Sequence, residues 1–305
     1  MSGLSDRLAS GGFAVTAEIS PPRGAGTGAI TETAGLLRDW VDAVNVTDNQ
    51  GSNVRLASWA GSLAALAAGL EPVMQMTCRD RNRIALQSDL LGASALGIRN
   101  VLAMTGDHPK FGDHPEAKPV FDLDSIQLLW TLRHMRDQGA ALSGKQLDPP
   151  PECFLGAVEN PFAPPEGFRA DRLGKKVDAG AQFVQTQFVF DVAGFGQWMA
   201  RVRDLGLHER CYILAGVGAV RSRRGLDFMR DNVPGVTVPE DVYRRLMAVP
   251  ADQTAAEGAR LAAETIKQLT TIEGVAGVHL FMAGNERAVP GVLEEAGVGA
   301  VRDGR

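Results

Sequence analysis

Acidic, amide and hydroxyl side chains stand inside or at the ends of short apolar runs in this chain, where they are costly unless paired or put to use. Glu18 sits in FAVTAEIS and Gln75 in PVMQMTC, a run that ends with Thr77 and Cys78. Thr47 and Asp48 follow VDAVNV, while Thr105, Gly106 and Asp107 follow NVLAM. Glu159 and Asn160 close FLGAVEN, and Gln185 and Gln187 interrupt FVQTQFVF. Two further segments invite chemistry. Thr105–Asp122 repeats Gly-Asp-His-Pro, and its two Asp and two His raise the possibility of a metal site. Their spacing fits no standard ligand signature, and proline after each histidine restrains the backbone by itself, so a repeated turn is the better reading. Arg169–Lys176 (RADRLGKK) places four cations in eight residues, as a solvated helix face or as a clamp for a phosphorylated cofactor.

The runs that carry these groups have the length of buried strands: Phe13–Ser20, Val41–Thr47, Pro72–Cys78, Asn100–Thr105, Phe154–Asn160, Phe183–Phe190, Cys211–Val217 and Gly277–Ala283. Helical patterns separate them. Asn53 is placed to cap VRLASWAGSLAALAAGL, which Gly69 and Pro72 stop, and Ser125 to cap IQLLWTLRHMRDQ before Gly139. Ala262, Ile266 and Leu269 form an apolar stripe at helical spacing. Strand and helix alternating eight times predict an α/β fold, a single (βα)8 TIM barrel spanning residues 1–305. A doubly wound sheet is the competitor, but EISPPRGAG after the first strand holds no G-x-G-x-x-G fingerprint. Barrels of this kind carry their active sites at the C-terminal ends of the strands. That rule turns the polar residues above into a candidate site; the alternative for the set is a hydrogen-bonded polar layer inside the barrel.

Composition agrees. The chain has 305 residues, 45% hydrophobic and 22% charged, as a water-soluble globular protein does. A net charge of −5 argues against nucleic acid as the main partner. No run approaches the length of a membrane helix, and MSGLSDRLASGG lacks the layout of a signal peptide, so a cytoplasmic protein is expected. Cys78, Cys153 and Cys211 sit in no metal or redox spacing and read as reduced thiols.

The segments TAEISPPR, VNVT, MTGDHP, NPFAPP and KKVDAGAQFVQTQFVFD, in that order, resemble the methylenetetrahydrofolate reductase family, with GVHLFMAGNE a weaker echo. The resemblance covers most of the chain and looks like a bacterial, flavin-dependent branch. It implies a (βα)8 barrel that holds flavin, FAD rather than FMN, and passes hydride to 5,10-methylenetetrahydrofolate, giving 5-methyltetrahydrofolate for one-carbon metabolism and methionine biosynthesis. It implies that Glu18 is the general acid, which requires a raised pKa. Asp107 becomes the carboxylate that stabilises the cationic iminium, and Gln187 the amide that meets the pterin. Thr47, Gln75, Thr105, Gly106, Asp107, Asn160, Arg172, Lys175 and Lys176 fall at or near flavin-contact positions. A homo-oligomer is compatible with it.

Three positions depart from the family pattern. Arg223 aligns where an aromatic residue usually covers the nicotinamide, which opens the choice of donor among NADH, NADPH and a protein partner. Glu286 stands where many members have an arginine for the folate tail, and Gln75 replaces a frequent histidine. The readings that compete with a reductase are a flavin-carrying electron-transfer subunit that needs a partner protein, a folate-binding barrel without chemistry, and a metal-dependent hydrolase built on the Asp/His loop.

Overall fold

A computed structural model describes residues 2–233, 235–282 and 284–301. The apolar runs form eight strands, β1 (Ala14–Ile19), β2 (Ala43–Val46), β3 (Pro72–Thr77), β4 (Asn100–Met104), β5 (Phe154–Glu159), β6 (Phe183–Phe188), β7 (Tyr212–Gly218) and β8 (Val275–Phe281). Each pairs in parallel with the next, and β8 returns to β1, with Ala14 opposite Gly277 and Thr16 opposite His279, to close the barrel. The helices are α1 (Gly3–Ala9), α2 (Gly28–Leu37), α3 (Ser58–Ala67), α4 (Arg83–Ala95), α5 (Ser125–Gln138), α6 (Arg169–Ala179), α7 (Val192–Asp204), α8 (Arg223–Asn232), α9 (Glu240–Ala248), α10 (Thr254–Leu269) and α11 (Val289–Glu295). The expected (βα)8 barrel is therefore the observed one. The boundaries move by a residue or two, and the expected end of the last strand, Ala283, lies outside the described residues.

Two helix starts differ from expectation. Asn53 does not cap α3, which begins at Ser58; its side-chain amide instead donates to the carbonyls of Gln50 and Gly51 in a 3-10 turn after β2. That turn packs on the loop after β4, and this tertiary contact overrides local capping. α5 is capped by Asp124 rather than Ser125. The Asp124 carboxylate accepts from Gln127 N at 2.7 Å while the Gln127 side chain accepts from Asp124 N at 3.0 Å, which satisfies two otherwise orphaned donors. Gly139 ends α5 in the left-handed region, as read from the sequence.

α1 closes the N-terminal end of the barrel. Its Leu4 and Leu8 pack with Ala14, Ala43, Val73, Leu102, Phe183 and Leu214 in the barrel interior. Gly156 leaves room for the Phe183 ring, which a Cβ there would strike at 2.2 Å. Glu71 holds α1 in place by accepting from Gly3 N at 2.6 Å and Leu4 N at 3.0 Å. One end of the barrel is thus apolar and plugged, and the polar groups collect toward the other. A separate apolar cluster of Phe190, Val220, Leu226, Val236 and Leu246 forms where α8 and α9 pack beyond β6 and β7.

Candidate active site at the strand C-terminal ends

Glu18 lies near the end of β1, half-buried, with protein around its carboxyl group. Gln50 Nε2 donates to its Oε1 at 3.1 Å and Gln75 Nε2 to its Oε2 at 3.4 Å. Loss of hydration pushes the carboxyl from the ordinary glutamate range up to about 7, while the two amides, which favour the ionised form, pull it part of the way back. A carboxyl group with this pKa is an effective proton donor near neutrality.

Beneath it the barrel interior holds a hydrogen-bonded polar layer, the alternative reading for part of the set. Gln185 and Asn45 exchange amide hydrogen bonds of 2.6 and 3.0 Å, and Gln185 Nε2 also reaches Thr16 Oγ1 at 3.1 Å. Thr16 Oγ1 lies 2.9 Å from Nδ1 of His279. Burial drives the pKa of His279 down to about 3, so the ring is neutral, and it stands edge-on to Phe281. Gln185 therefore has a structural explanation and Gln187 does not share it. The β6–β7 register shifts between Gln185 and Phe188, and bulges of this kind re-aim side chains. Gln187 Oε1 accepts from Phe188 N at 3.1 Å, and its amide N–H groups meet no protein acceptor among the described residues.

The loops after β2, β3 and β4 are tied into one web. Asp48 accepts from Thr77 N at 2.8 Å, Thr77 Oγ1 at 2.9 Å and the Arg81 guanidinium. Arg79, almost fully buried, pairs with Asp80 at 2.7 Å through both Nε and Nη2. The same guanidinium reaches Asn49 O at 3.2 Å, Ser52 Oγ at 3.1 Å and Asp107 O at 3.3 Å. Ser52 Oγ also donates to Asp107 O at 2.8 Å. Asp107 is exposed on its rim, with its backbone held from two sides. Gly106 precedes it at φ +89°, where a Cβ would also press on Thr77 at 3.0 Å, so glycine is required twice over. Thr105 is exposed beside it.

The Gly-Asp-His-Pro repeat serves as turns and latches. His108 Nδ1 accepts from Lys110 N at 3.1 Å. Asp113 accepts from Val54 N at 3.2 Å and from Arg23 at 3.3 Å, which joins the loops after β1, β2 and β4. No group of three or more His, Cys, Asp or Glu that would hold a metal lies together among the described residues.

At the end of β5, Glu159 is completely buried. Its Oε1 accepts from Arg172 Nε at 2.8 Å and from Asn160 N at 2.8 Å, and its Oε2 from Lys176 at 3.0 Å. Arg172 Nη2 also donates to Asn160 O at 2.7 Å. The basic segment is thus neither a solvated face nor a single clamp. Arg172 and Lys176, one helical turn apart, share a face and converge on Glu159. Lys175 points elsewhere, its Nζ 4.7 Å from the Phe168 ring, and lines an outer groove of about 600 Å³ between α5 and α6 with Ile126, Trp130 and Leu142. That groove lies on the helical wall, away from the polar strand ends.

On the β7 side, Arg223 opens α8 and its guanidinium donates to Met247 O at 3.0 Å and Val249 O at 2.5 Å, binding α8 to the C-terminus of α9. Glu286 accepts from Gly284 N at 2.9 Å, a local turn contact. The three cysteines are free and buried; burial raises the Cys78 and Cys153 thiols to about 12 and Cys211 further.

Sequence reasoning missed Gln50, Arg79 and His279. Arg79 carried a signal, since an arginine directly after a strand needs a partner. His279, a polar ring inside the apolar run GVHLFMA, carried the same signal as Gln185, though only barrel closure reveals its partner on β1. Gln50 carried none, because the turn after β2 alone brings it over Glu18.

Fold and site together define a (βα)8 barrel with a neutral-range acid and a ring of amides and carboxylates at its C-terminal mouth, the layout of a barrel enzyme. Comparison with known proteins gives the family. The methylenetetrahydrofolate reductase profile matches residues 3–297, and the chain belongs to that family. It is 26% identical over 239 residues to methylenetetrahydrofolate reductase 1 of Schizosaccharomyces pombe, covering 75% of this chain and 36% of that protein. It is 26% identical over 219 residues to 5,10-methylenetetrahydrofolate reductase of Pectobacterium carotovorum, covering 70% and 65%. The chain therefore spans little more than a third of the fission-yeast relative. Among solved structures, an uncharacterized protein from Clostridium thermocellum that binds two copies of 5-methyl-5,6,7,8-tetrahydrofolic acid superposes with a TM-score of 0.66, at 13% identity over 96% of this chain and 97% of that one. No helix among the described residues is long and apolar enough to cross a membrane.

Proposed function

We propose that this chain reduces 5,10-methylenetetrahydrofolate to 5-methyltetrahydrofolate at the barrel mouth, in the cytoplasm, using a bound flavin. The observation that carries the reading is Glu18, a carboxyl group raised to about 7 by burial at the end of β1. Family membership and the folate held by the Clostridium thermocellum neighbour support the substrate class.

Glu18 gives its proton to N10 of the substrate, so that the bond from the methylene carbon to N10 breaks and the methylene remains as an iminium on N5. Asp107 supplies negative charge beside that cation. Gln187, with amide N–H groups that meet no acceptor among the described residues, pairs with the pterin edge. The flavin, when bound, supplies the hydride that the iminium carbon accepts. Thr47 fits such a group, because its hydroxyl is buried without a partner and a polar ligand would satisfy it. Gln75, Thr105, Gly106, Asp107 and Asn160 complete the proposed contact set at the mouth. Arg172 and Lys176 would act through a cluster whose charge Glu159 partly cancels, whereas Lys175, on the outer groove, is left out of the set. FAD is preferred to FMN because Arg172 and Lys176 outnumber Glu159 and leave net positive charge for a pyrophosphate.

A second reading, an electron-transfer subunit reduced by a partner protein, is favoured by Arg223, which braces α9 where the family places an aromatic ring. One experiment tests the main proposal. The purified protein is photoreduced without oxygen and mixed with methylenetetrahydrofolate, while the visible spectrum is followed. Oxidised-flavin absorbance should return in the wild type, and Glu18→Gln should keep the flavin but lose the return. An equally fast return in Glu18→Gln removes Glu18 from the chemistry, and a colourless protein removes the flavin.

A further inference from the structure

The Glu18 carboxyl is gripped from a loop that no sequence pattern marked. Gln50 sits in the 3-10 turn after β2, exposed, and its amide lies between two partners. Ser20 Oγ donates to Gln50 Oε1 at 2.9 Å, and Gln50 Nε2 donates to Glu18 Oε1 at 3.1 Å. The orientation of the amide follows from this arrangement. An ionised carboxylate only accepts, so the N–H group must face Glu18, and the serine hydroxyl holds the carbonyl end away. Gln75 donates to the other carboxylate oxygen at 3.4 Å.

We propose that Gln50, oriented by Ser20, is a positioning residue that fixes the Glu18 carboxyl and stabilises the anion left after proton transfer. Each carboxylate oxygen has two acceptor directions. With one direction on each oxygen taken by an amide, the proton and the substrate nitrogen are confined to those that remain. Gln50 thereby acts on both the aim of the acid and its readiness to release a proton.

The titratable groups on the surrounding elements are otherwise engaged. His279 on β8 is bonded to Thr16, Asp48 after β2 is paired with Arg81, and Asp107 after β4 stands beside Arg79. None of them contributes to the shift at Glu18, whose only opposing influences are the two amides. Losing one amide therefore moves the carboxyl in one direction, upward.

This inference rests on Glu18 being the proton donor, and the test separates the two. The 305-residue chain, labelled with ¹³C at glutamate side-chain carboxyls, is titrated by NMR as wild type, Gln50→Ala and Ser20→Ala, with Glu18→Gln identifying the signal. In parallel the pH dependence of methylenetetrahydrofolate reduction is measured. Gln50→Ala should raise the Glu18 titration and the alkaline limb of kcat together, by about one pH unit, and lower kcat about tenfold with KM little changed. Ser20→Ala should produce a smaller shift in the same direction. Because Gln50 and Ser20 are exposed, both variants should fold. An unmoved Glu18 titration in Gln50→Ala overturns the inference, whatever happens to activity. A shifted titration with an unshifted kcat profile keeps the grip on the carboxyl but removes Glu18, and with it this role of Gln50, from the reaction.

Discussion

The two sides of the barrel mouth are built differently. From β1 to β5 the loops are cross-braced through charge, exposed at Asp113, which joins three loops, and buried at Arg79, which holds the backbones of residues 49 and 107, and at Glu159, which pulls Arg172 and Lys176 inward. From β7 to β8 the connection is a helix pair, α8 and α9, resting on a small apolar cluster, tied together by Arg223 and by Tyr243 on Asp227, and tied to α10 by Arg245. On the first side the polar ties run between strand-end loops at the mouth itself; on the second they run between helices outside the barrel, where Tyr243 donates to Asp227 and Arg245 joins Glu257 and Glu264. The proposed proton donor and charge stabiliser lie on the braced side, where a misplacement of about 1 Å is expensive in rate.

Three substitutions measure this contrast. The largest effect is expected at Glu159. Glu159→Ala leaves two half-buried cations with carbonyl partners but no carboxylate, and urea denaturation should show a loss of about 3 kcal/mol; a loss below about 1 kcal/mol would mean that Arg172 and Lys176 reach solvent freely and the brace is nominal. Arg223→Ala should cost less, about 1–2 kcal/mol by the same assay, because two charge-assisted hydrogen bonds to carbonyls are lost from a half-buried site. It should leave reoxidation of a photoreduced sample by folate unchanged, and a slowed reoxidation would place α8 in the folate half of the reaction.

The smallest effect concerns Glu18 and carries a sign. Its folded pKa, about 7, lies above its ordinary value, so the folded state binds more protons than the unfolded one between those limits. Stability therefore falls as pH rises from the ordinary carboxylate range through about 7. Glu18→Gln cannot ionise, and above pH 8 it should be more stable than the wild type by on the order of 1 kcal/mol, allowing for partial exposure, while near pH 4 the two should coincide. Parallel melting curves at the two pH values would show this, and equal differences at both would exclude a strained acid. An active site less stable than its neutral replacement is the usual cost of placing a carboxyl group where solvent cannot serve it.

Much of this was legible in the chain itself. Eight apolar runs, the helices between them and the polar residues at their ends determined the barrel, because strand length and period are local properties of sequence. The place of Glu18 was legible for the same reason, since an acid inside an apolar run must be paired, buried neutral or used. Other features waited on the tertiary structure. Gln185 and Gln187 look alike in FVQTQFVF, yet a register shift and a partner from β2 make one part of an interior layer and leave the other with donors that meet no acceptor among the described residues. Arg172, Lys175 and Lys176 look like one basic patch, yet helical phase sends two of them to Glu159 and the third to an outer groove. Asn53 reads as a cap until the loop after β4 packs against its turn. Local sequence determines what each segment becomes, whereas hydrogen-bond partners from distant strands are chosen only when the barrel closes and brings β1 between β2 and β8.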